Sequence, residues 1–294
     1  MVDGVSGSTV PRRQLGRYLR ELRNRARLTV KAAAVTLEWS EAKIWRIETG
    51  QTSLRSHDVE TMCRVYGAGS DLTSALMALA KETKAKGWWH SYGDVIPGWF
   101  DVYISLEEAA TALSVYQSEL VPGLLQTEDY ARVLIRTDHP EFTDAEVERR
   151  VQLRTERQAL LTRVTDPPGL GVILNEAVIR RPLGSEKIMA DQLVNLLDLG
   201  ELPNVAVRVM PFSHGMHPGV TTGPFVMLEF SINGSGMPTE PTTIYIEGHA
   251  GALYLDKQHE VELYEQAFGH IQRASLSEVA SRKLIAEAAK EWQK

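Results

Sequence analysis

The feature that most constrains this chain is a change in the period of its apolar residues. Up to about residue 85 they recur every three or four positions, and beyond residue 170 they fall in short runs rich in Val, Ile and aromatics. One packing layer does not serve both patterns, so a helical domain followed by a sheet-containing domain is expected. In the first part Leu15, Tyr18, Leu19, Leu22 and Ala26 predict an amphipathic helix over 12–26, with Arg13, Arg17, Arg20 and Arg23 on its other face. A second helix is expected from the N-cap Thr29 to about Leu37, and a third from the N-cap Ser40 to Glu48, closed by Gly50. Ser56–Tyr66 and Asp71–Lys84 complete five short helices, packed through Leu28, Ala33, Leu37, Ile44 and Ile47.

Further along, Ser105-x-x-Glu108 reads as a capping box opening a helix to about Gln117. Thr127 is expected to cap a helix to Ile135, and Thr143-x-x-Glu146 one reaching about Arg163, with Phe142 and Val147 as a hydrophobic staple. Strands are expected at 171–175, 205–210, 225–230, 243–246 and 252–255. Helices are expected at 185–200 and 257–271, and a last one is capped at Ser275-x-x-Glu278. The resulting map has a disordered leader (1–11), an all-α five-helix domain (12–85), an aromatic-rich junction (86–104) and a mixed α/β (α+β) domain with about five strands (105–294). Trp88, Trp89, Tyr92, Trp99, Phe100 and Tyr103 make the junction more apt to pack than to swing.

Charge divides along the same line. Residues 1–86 carry 15 Lys/Arg against 9 Asp/Glu, and residues 87–294 carry 17 against 29. The basic part is therefore the one suited to a polyanion. The chain has a single cysteine, Cys63, which excludes an internal disulfide and a cysteine-based zinc site, fits a reducing cytoplasm, and is read as packing. No apolar run is long enough for a membrane span, so a cytoplasmic protein with no membrane partner is expected.

The segment Leu28-Thr29-Val30-Lys31 … Ser40-Glu41-Ala42-Lys43-Ile44-Trp45-Arg46-Ile47-Glu48-Thr49-Gly50 resembles the helix-turn-helix of the Cro/cI or xenobiotic-response-element (XRE) family. The resemblance implies a lambda-repressor-like fold and double-stranded DNA as partner, read by the helix that follows Ser40. An exposed helix of that length fits the major groove and reaches base edges with its N-terminal positions. Ser40, Glu41, Ala42 and Lys43 occupy them, with Arg46 one turn on. Lys43 is suited to guanine, Glu41 to cytosine N4 and Ala42 to a thymine methyl. Thr29 stands at a helix N-terminus that favours phosphate, and Lys31, Gln51 and Thr52 are further phosphate candidates. Trp45 stands where a small polar residue is usual and is assigned to a sugar. Glu38 replaces the usual turn glycine, which leaves the turn free to differ in shape at a cost of about 1 kcal/mol, and Val30 replaces a usual glutamine.

A second resemblance covers the rest. Glu107–Ala110, Val121-Pro122-Gly123-Leu124-Leu125-Gln126-Thr127-Glu128-Asp129-Tyr130-Ala131, Arg154-x-x-Arg157-Gln158, Asn175-Glu176-Ala177, Gln192-Leu193, Val205–Pro211, Tyr245-x-Glu247 and Tyr254-Leu255-Asp256 resemble the effector domain of WhiJ-type regulators from filamentous actinobacteria. This implies a regulator of development or antibiotic production, described in that family as antitoxin-like, whose gene often adjoins that of a small partner protein. A homodimer is expected, since one such module contacts one half-site. An unidentified small-molecule effector is compatible with the domain. The alternative, from another class, is an antitoxin-like interaction module that sequesters a small partner protein.

Catalysis has little support. Glu176, His214, His217, Glu247, His249 and Asp256 fall into no catalytic constellation, and His214-Gly215-Met216-His217 lies on a loop with no further ligand fixed. There is no nucleophile elbow, phosphate loop or dinucleotide fingerprint. A non-enzyme without cofactor or metal is expected.

Overall fold

The computed structural model describes residues 10–82, 91–92, 94–96, 98–232, 238–249 and 251–293. The chain divides into two compact units, up to Ala109 and from Ala110. The leader expected at 1–11 lies outside the described residues, except Val10 and Pro11, which open the first helix. Trp88 and Trp89 of the junction also lie outside them.

Among the described residues the first unit's regular structure is helical: α1 (Val10–Arg25), α2 (Val30–Leu37), α3 (Glu41–Glu48), α4 (Ser56–Val65), α5 (Ser70–Glu82) and α6 (Gly98–Ala109). The two predicted caps close as local chemistry requires. Thr29 Oγ1 accepts from Ala32 N at 3.1 Å and Ser40 Oγ from Lys43 N at 3.2 Å. The core gathers Leu15, Leu19, Leu22, Ala33, Leu37, Ile44, Ile47, Val59, Met62 and Cys63, so the thiol is packing material, and burial pushes it upward. Leu28 packs on the rim of this core.

One helix expectation is overturned. Ser105 opens no helix: it lies inside α6, where its Oγ accepts from Val10 N at 2.9 Å. The segment read as that helix is strand β1 (Ala112–Gln117). Its partners are remote in sequence, so pairing decides its state and no local signal announces it.

The second unit is built on one six-stranded mixed sheet: β1, β2 (Gly169–Asn175), β3 (Val205–Met210), β4 (Phe225–Glu229), β5 (Thr243–Gly248) and β6 (Gly251–Leu255), in the order β3-β2-β1-β4-β5-β6. β1, β2 and β3 are parallel, and β4, β5 and β6 join antiparallel. Tyr116 lies between Ile173 and Phe225 in register, and with Met227 and Ile244 they form a face buried by Val261, Phe268 and Ile271 of α12 (Gln258–Ala274). Leu113, Val115, Val172 and Leu174 are buried on the other face, so these strands read as apolar runs without alternation. The β3 edge is closed by the segment leading into α13 (Glu278–Glu291). Leu276 N donates to Val209 O at 2.9 Å, and Val209 N donates to Ser281 Oγ at 2.9 Å. Helix α13 is capped by Ser277, two residues later than the Ser275 expected from sequence.

The remaining helices are α7 (Glu128–Asp138), α8 (Asp144–Gln158), α9 (Glu176–Arg180), α10 (Glu186–Leu199) and α11 (Pro218–Thr222). The Thr143–Glu146 capping box forms, and Phe142 packs against the cluster of Ala131, Ile135, Val147 and Val151. Helix α8 stops at Gln158, earlier than expected, and passes into a 3-10 turn. Side-chain amides hold the Val121–Thr127 turn. Gln126 Nε2 donates to Val121 O at 2.6 Å, Gln158 Nε2 to Gln126 O at 2.6 Å, and Gln192 Nε2 to Leu125 O at 2.8 Å. No helix among the described residues is long and apolar enough to cross a membrane.

Candidate nucleic-acid interface

Helix α3 has two faces with different tasks. Ile44, Ile47 and Glu48 are buried, while Glu41, Ala42, Trp45 and Arg46 are exposed and Lys43 is half-buried. The outward face is the row assigned to base contact, and Ser40 stands exposed at its head. Thr29 and Lys31 are exposed at the start of α2, and Gln51 is exposed and Thr52 half-buried just past α3.

The turn before α3 keeps its left-handed residue. Glu38 has φ 57° and ψ 37°, and its N–H reaches the carbonyls of α2 as a glycine cap would. The turn therefore takes the left-handed shape a glycine would give it, strained by roughly 1–2 kcal/mol for a residue bearing a Cβ. Trp45 is 54% exposed, and its carbonyl accepts from Thr49 Oγ1 at 2.8 Å.

Two features of the site escaped the sequence reading. Lys43 Nζ rests 3.4 Å from the centre of the Trp39 ring, a cation–π seat that orients the lysine. Arg23, expected on the solvent face of α1, is buried instead. Its Nε donates to Glu48 Oε1 at 2.6 Å, its Nη2 to Glu48 Oε2 at 2.8 Å, and its Nη1 to Leu28 O at 2.8 Å. The side chains of this pair are only 8% and 5% exposed. This fork bolts α1 to the end of α3, and the bond to Glu48 raises the arginine's hold on its proton. Burial and the charge of Glu48 push the adjacent Tyr66 phenol far up. Gly16 completes the fit: a Cβ there would lie 2.4 Å from Ile47 O.

In the second unit the motif residues Gly123, Gln126, Arg154, Arg157 and Gln158 come together on one turn and the end of α8. Arg154 Nη1 donates to Gln126 Oε1 at 2.7 Å. Burial, with the charge of Arg157, pulls Arg154 down to about 10, and Glu247 at the end of β5 acts against that shift. Tyr245 and Tyr254 pack at 5.3 Å, and burial, aided by Glu247, pushes the Tyr245 phenol far up. His214 and His217 lie with ring centres 6.4 Å apart; burial lowers His217, whose Nδ1 has no hydrogen-bond partner among the described residues. Among the described residues no group of three or more His, Cys, Asp or Glu is placed to hold a metal ion.

Residues 100–287 match the family model described as a domain of unknown function, DUF5753, and residues 14–76 match that of a helix-turn-helix domain. The helix-turn-helix match contains α2, α3 and the turn between them. No curated protein and no solved structure matches the chain.

Proposed function

The chain belongs to the DUF5753 family, and on that premise we propose that it is a sequence-specific DNA-binding transcriptional regulator of XRE type, with DNA binding controlled through its second unit. The observation that carries the reading is the split of α3. One face is fixed to the core through Ile44, Ile47 and the Arg23–Glu48 fork, and the other presents Ser40, Glu41, Ala42, Lys43 and Arg46 to solvent. A rigidly held helix whose N-terminal half is exposed meets the geometric demand of major-groove readout. Thr29, Lys31, Gln51 and Thr52 are assigned to phosphates and Trp45 to a sugar. Two copies place two such helices one helical turn of DNA apart, so the acting species is a homodimer in the cytoplasm. The function includes no catalysis and requires no cofactor.

The test starts from duplexes selected by the purified chain out of a randomised pool, followed by mobility shift. Lys43→Ala and Arg46→Ala are expected to abolish specific binding while the circular dichroism spectrum is unchanged. Unchanged affinity in both variants would sink the recognition-helix assignment.

A second reading, an antitoxin-like module that sequesters a small protein, draws on one observation. Phe212, Met216 and Val220 are exposed within nine residues of the segment after β3. Tight binding of the purified product of an adjacent gene, without salt-sensitive DNA binding, would favour it over the first.

A further inference from the structure

Helix α1 begins in a way its own sequence does not favour. It opens on Val10-Pro11-Arg12-Arg13 with no acid in its first turn, so two cations stand at the positive end of the helix dipole. The first N–H groups of a helix also find no acceptor within it. Within the first unit α6 answers both needs. Ser105 Oγ accepts from Val10 N at 2.9 Å across 95 residues of chain. Asp101, one turn before Ser105, is near enough for its charge to oppose the lowering that burial imposes on Arg12. Both side chains are committed to the interior, Ser105 at 4% and Asp101 at 8% exposure. Further along, α1 grips α3. Gly16 lies against the carbonyls of Ile47 and Glu48, and Arg23 forks onto Glu48 at 2.6 and 2.8 Å. A path of named contacts therefore runs from α6 through α1 to the end of α3.

We propose that Ser105 and Asp101 are positioning residues for DNA reading: from α6 they brace the start of α1, and α1 passes that setting to the end of α3. The brace belongs by sequence to the other domain. The DUF5753 match begins at residue 100, inside α6, and only two residues, Ala110 and Thr111, separate α6 from β1. Control exerted by the second unit then enters the first at α6. That consequence rests on the regulator reading, whereas the brace itself does not. Being buried, neither residue supplies a contact to DNA. Base-edge hydrogen bonds demand exact placement of the reading helix, while attraction to phosphates acts over a longer range and tolerates a shift. Loosening the brace therefore acts on specificity and spares general affinity for DNA.

The experiment uses the full chain and two readouts: hydrogen exchange of α1, α3 and α12 amides, and mobility shift of a selected and a scrambled duplex across a salt series. Ser105→Ala removes the acceptor without straining α6. Exchange in α1 and α3 is expected to quicken roughly three- to tenfold, the effect of a lost helix cap, while α12 is unchanged. Affinity for the selected duplex is expected to fall about threefold or more. Affinity for the scrambled duplex, and the slope of log affinity against log salt, are expected to hold, because no phosphate contact is removed. Ser105→Thr keeps the hydroxyl and should restore both readouts to within about twofold of the parent. Asp101→Asn should quicken exchange in α1 and α3 as Ser105→Ala does. Unchanged α1 and α3 exchange in both Ser105→Ala and Asp101→Asn would overturn the brace. Faster exchange with selected and scrambled duplexes weakened alike, or with neither weakened, would overturn the positioning role. A parent that binds neither duplex would defeat the regulator reading, and faster α3 exchange in Ser105→Ala would still establish the brace.

Discussion

Replacing Glu48 by Gln keeps the volume at the end of α3 and removes one of the two charges that bolt it to α1. Arg23 then remains buried, with a neutral partner where it had a bidentate carboxylate at 2.6 and 2.8 Å. Each charge-assisted bond contributes roughly 1.5–3 kcal/mol, and one-sided breakage of a buried pair costs about 3–5 kcal/mol. The bond from Arg23 to Leu28 O survives and places the expected loss near the lower end, about 3 kcal/mol. Against a domain stability of about 5–15 kcal/mol that is a large fraction. For a unit of this size it would lower the urea midpoint by roughly 2–3 M.

Hydrogen exchange of α1 and α3 amides, read across a urea series, isolates this unit from the second. The exposed pair Arg25–Glu21, with side chains 70% and 59% exposed, is the internal control, and Glu21→Gln is expected to cost no more than about 0.5 kcal/mol. The Glu48→Gln effect should persist in 1 M salt, because a buried pair is little screened. Adding Arg23→Met to Glu48→Gln should recover most of the loss, since what hurts is the stranded charge. A Glu48→Gln cost below about 1 kcal/mol, or a double variant no better than the single, would refute the assignment of this fork as the bolt of the recognition helix.

Gly16→Ala should destabilise the same unit by about 1–3 kcal/mol, measured by the same exchange series, because its Cβ meets the backbone carbonyl of Ile47 at 2.4 Å and neither side can yield cheaply. Glu38→Gly should stabilise it by up to about 1 kcal/mol in urea unfolding, by relieving the left-handed strain at φ 57°. Trp39→Ala should change which base is preferred opposite Lys43 in a selected-site assay while the unfolding free energy from urea titration falls by less than about 1 kcal/mol, since it removes the seat under the lysine from a half-buried position.

What sequence could disclose here depended on how far the deciding interaction reaches. Thr29, Ser40, Thr127 and Thr143 each cap a helix three residues from the donor they accept, and each is legible because both partners sit in one short window. β1 was misread for the opposite reason: the serine and glutamate of its supposed capping box lie inside α6, and the strand's true partners are 57 and more residues away, at 169–174 and 225–229. Arg23 is a subtler case, because its signal was present. It stands four residues after Leu19 and eight after Leu15, which puts it on the buried stripe of α1, and only the habit of placing charge outside assigned it to solvent. A cation on an apolar stripe implies a buried anion elsewhere, and Glu48, at the end of α3, is that anion. The mismatch is resolved inside the fold, and the bidentate fork that resolves it is what holds the end of α3 against α1.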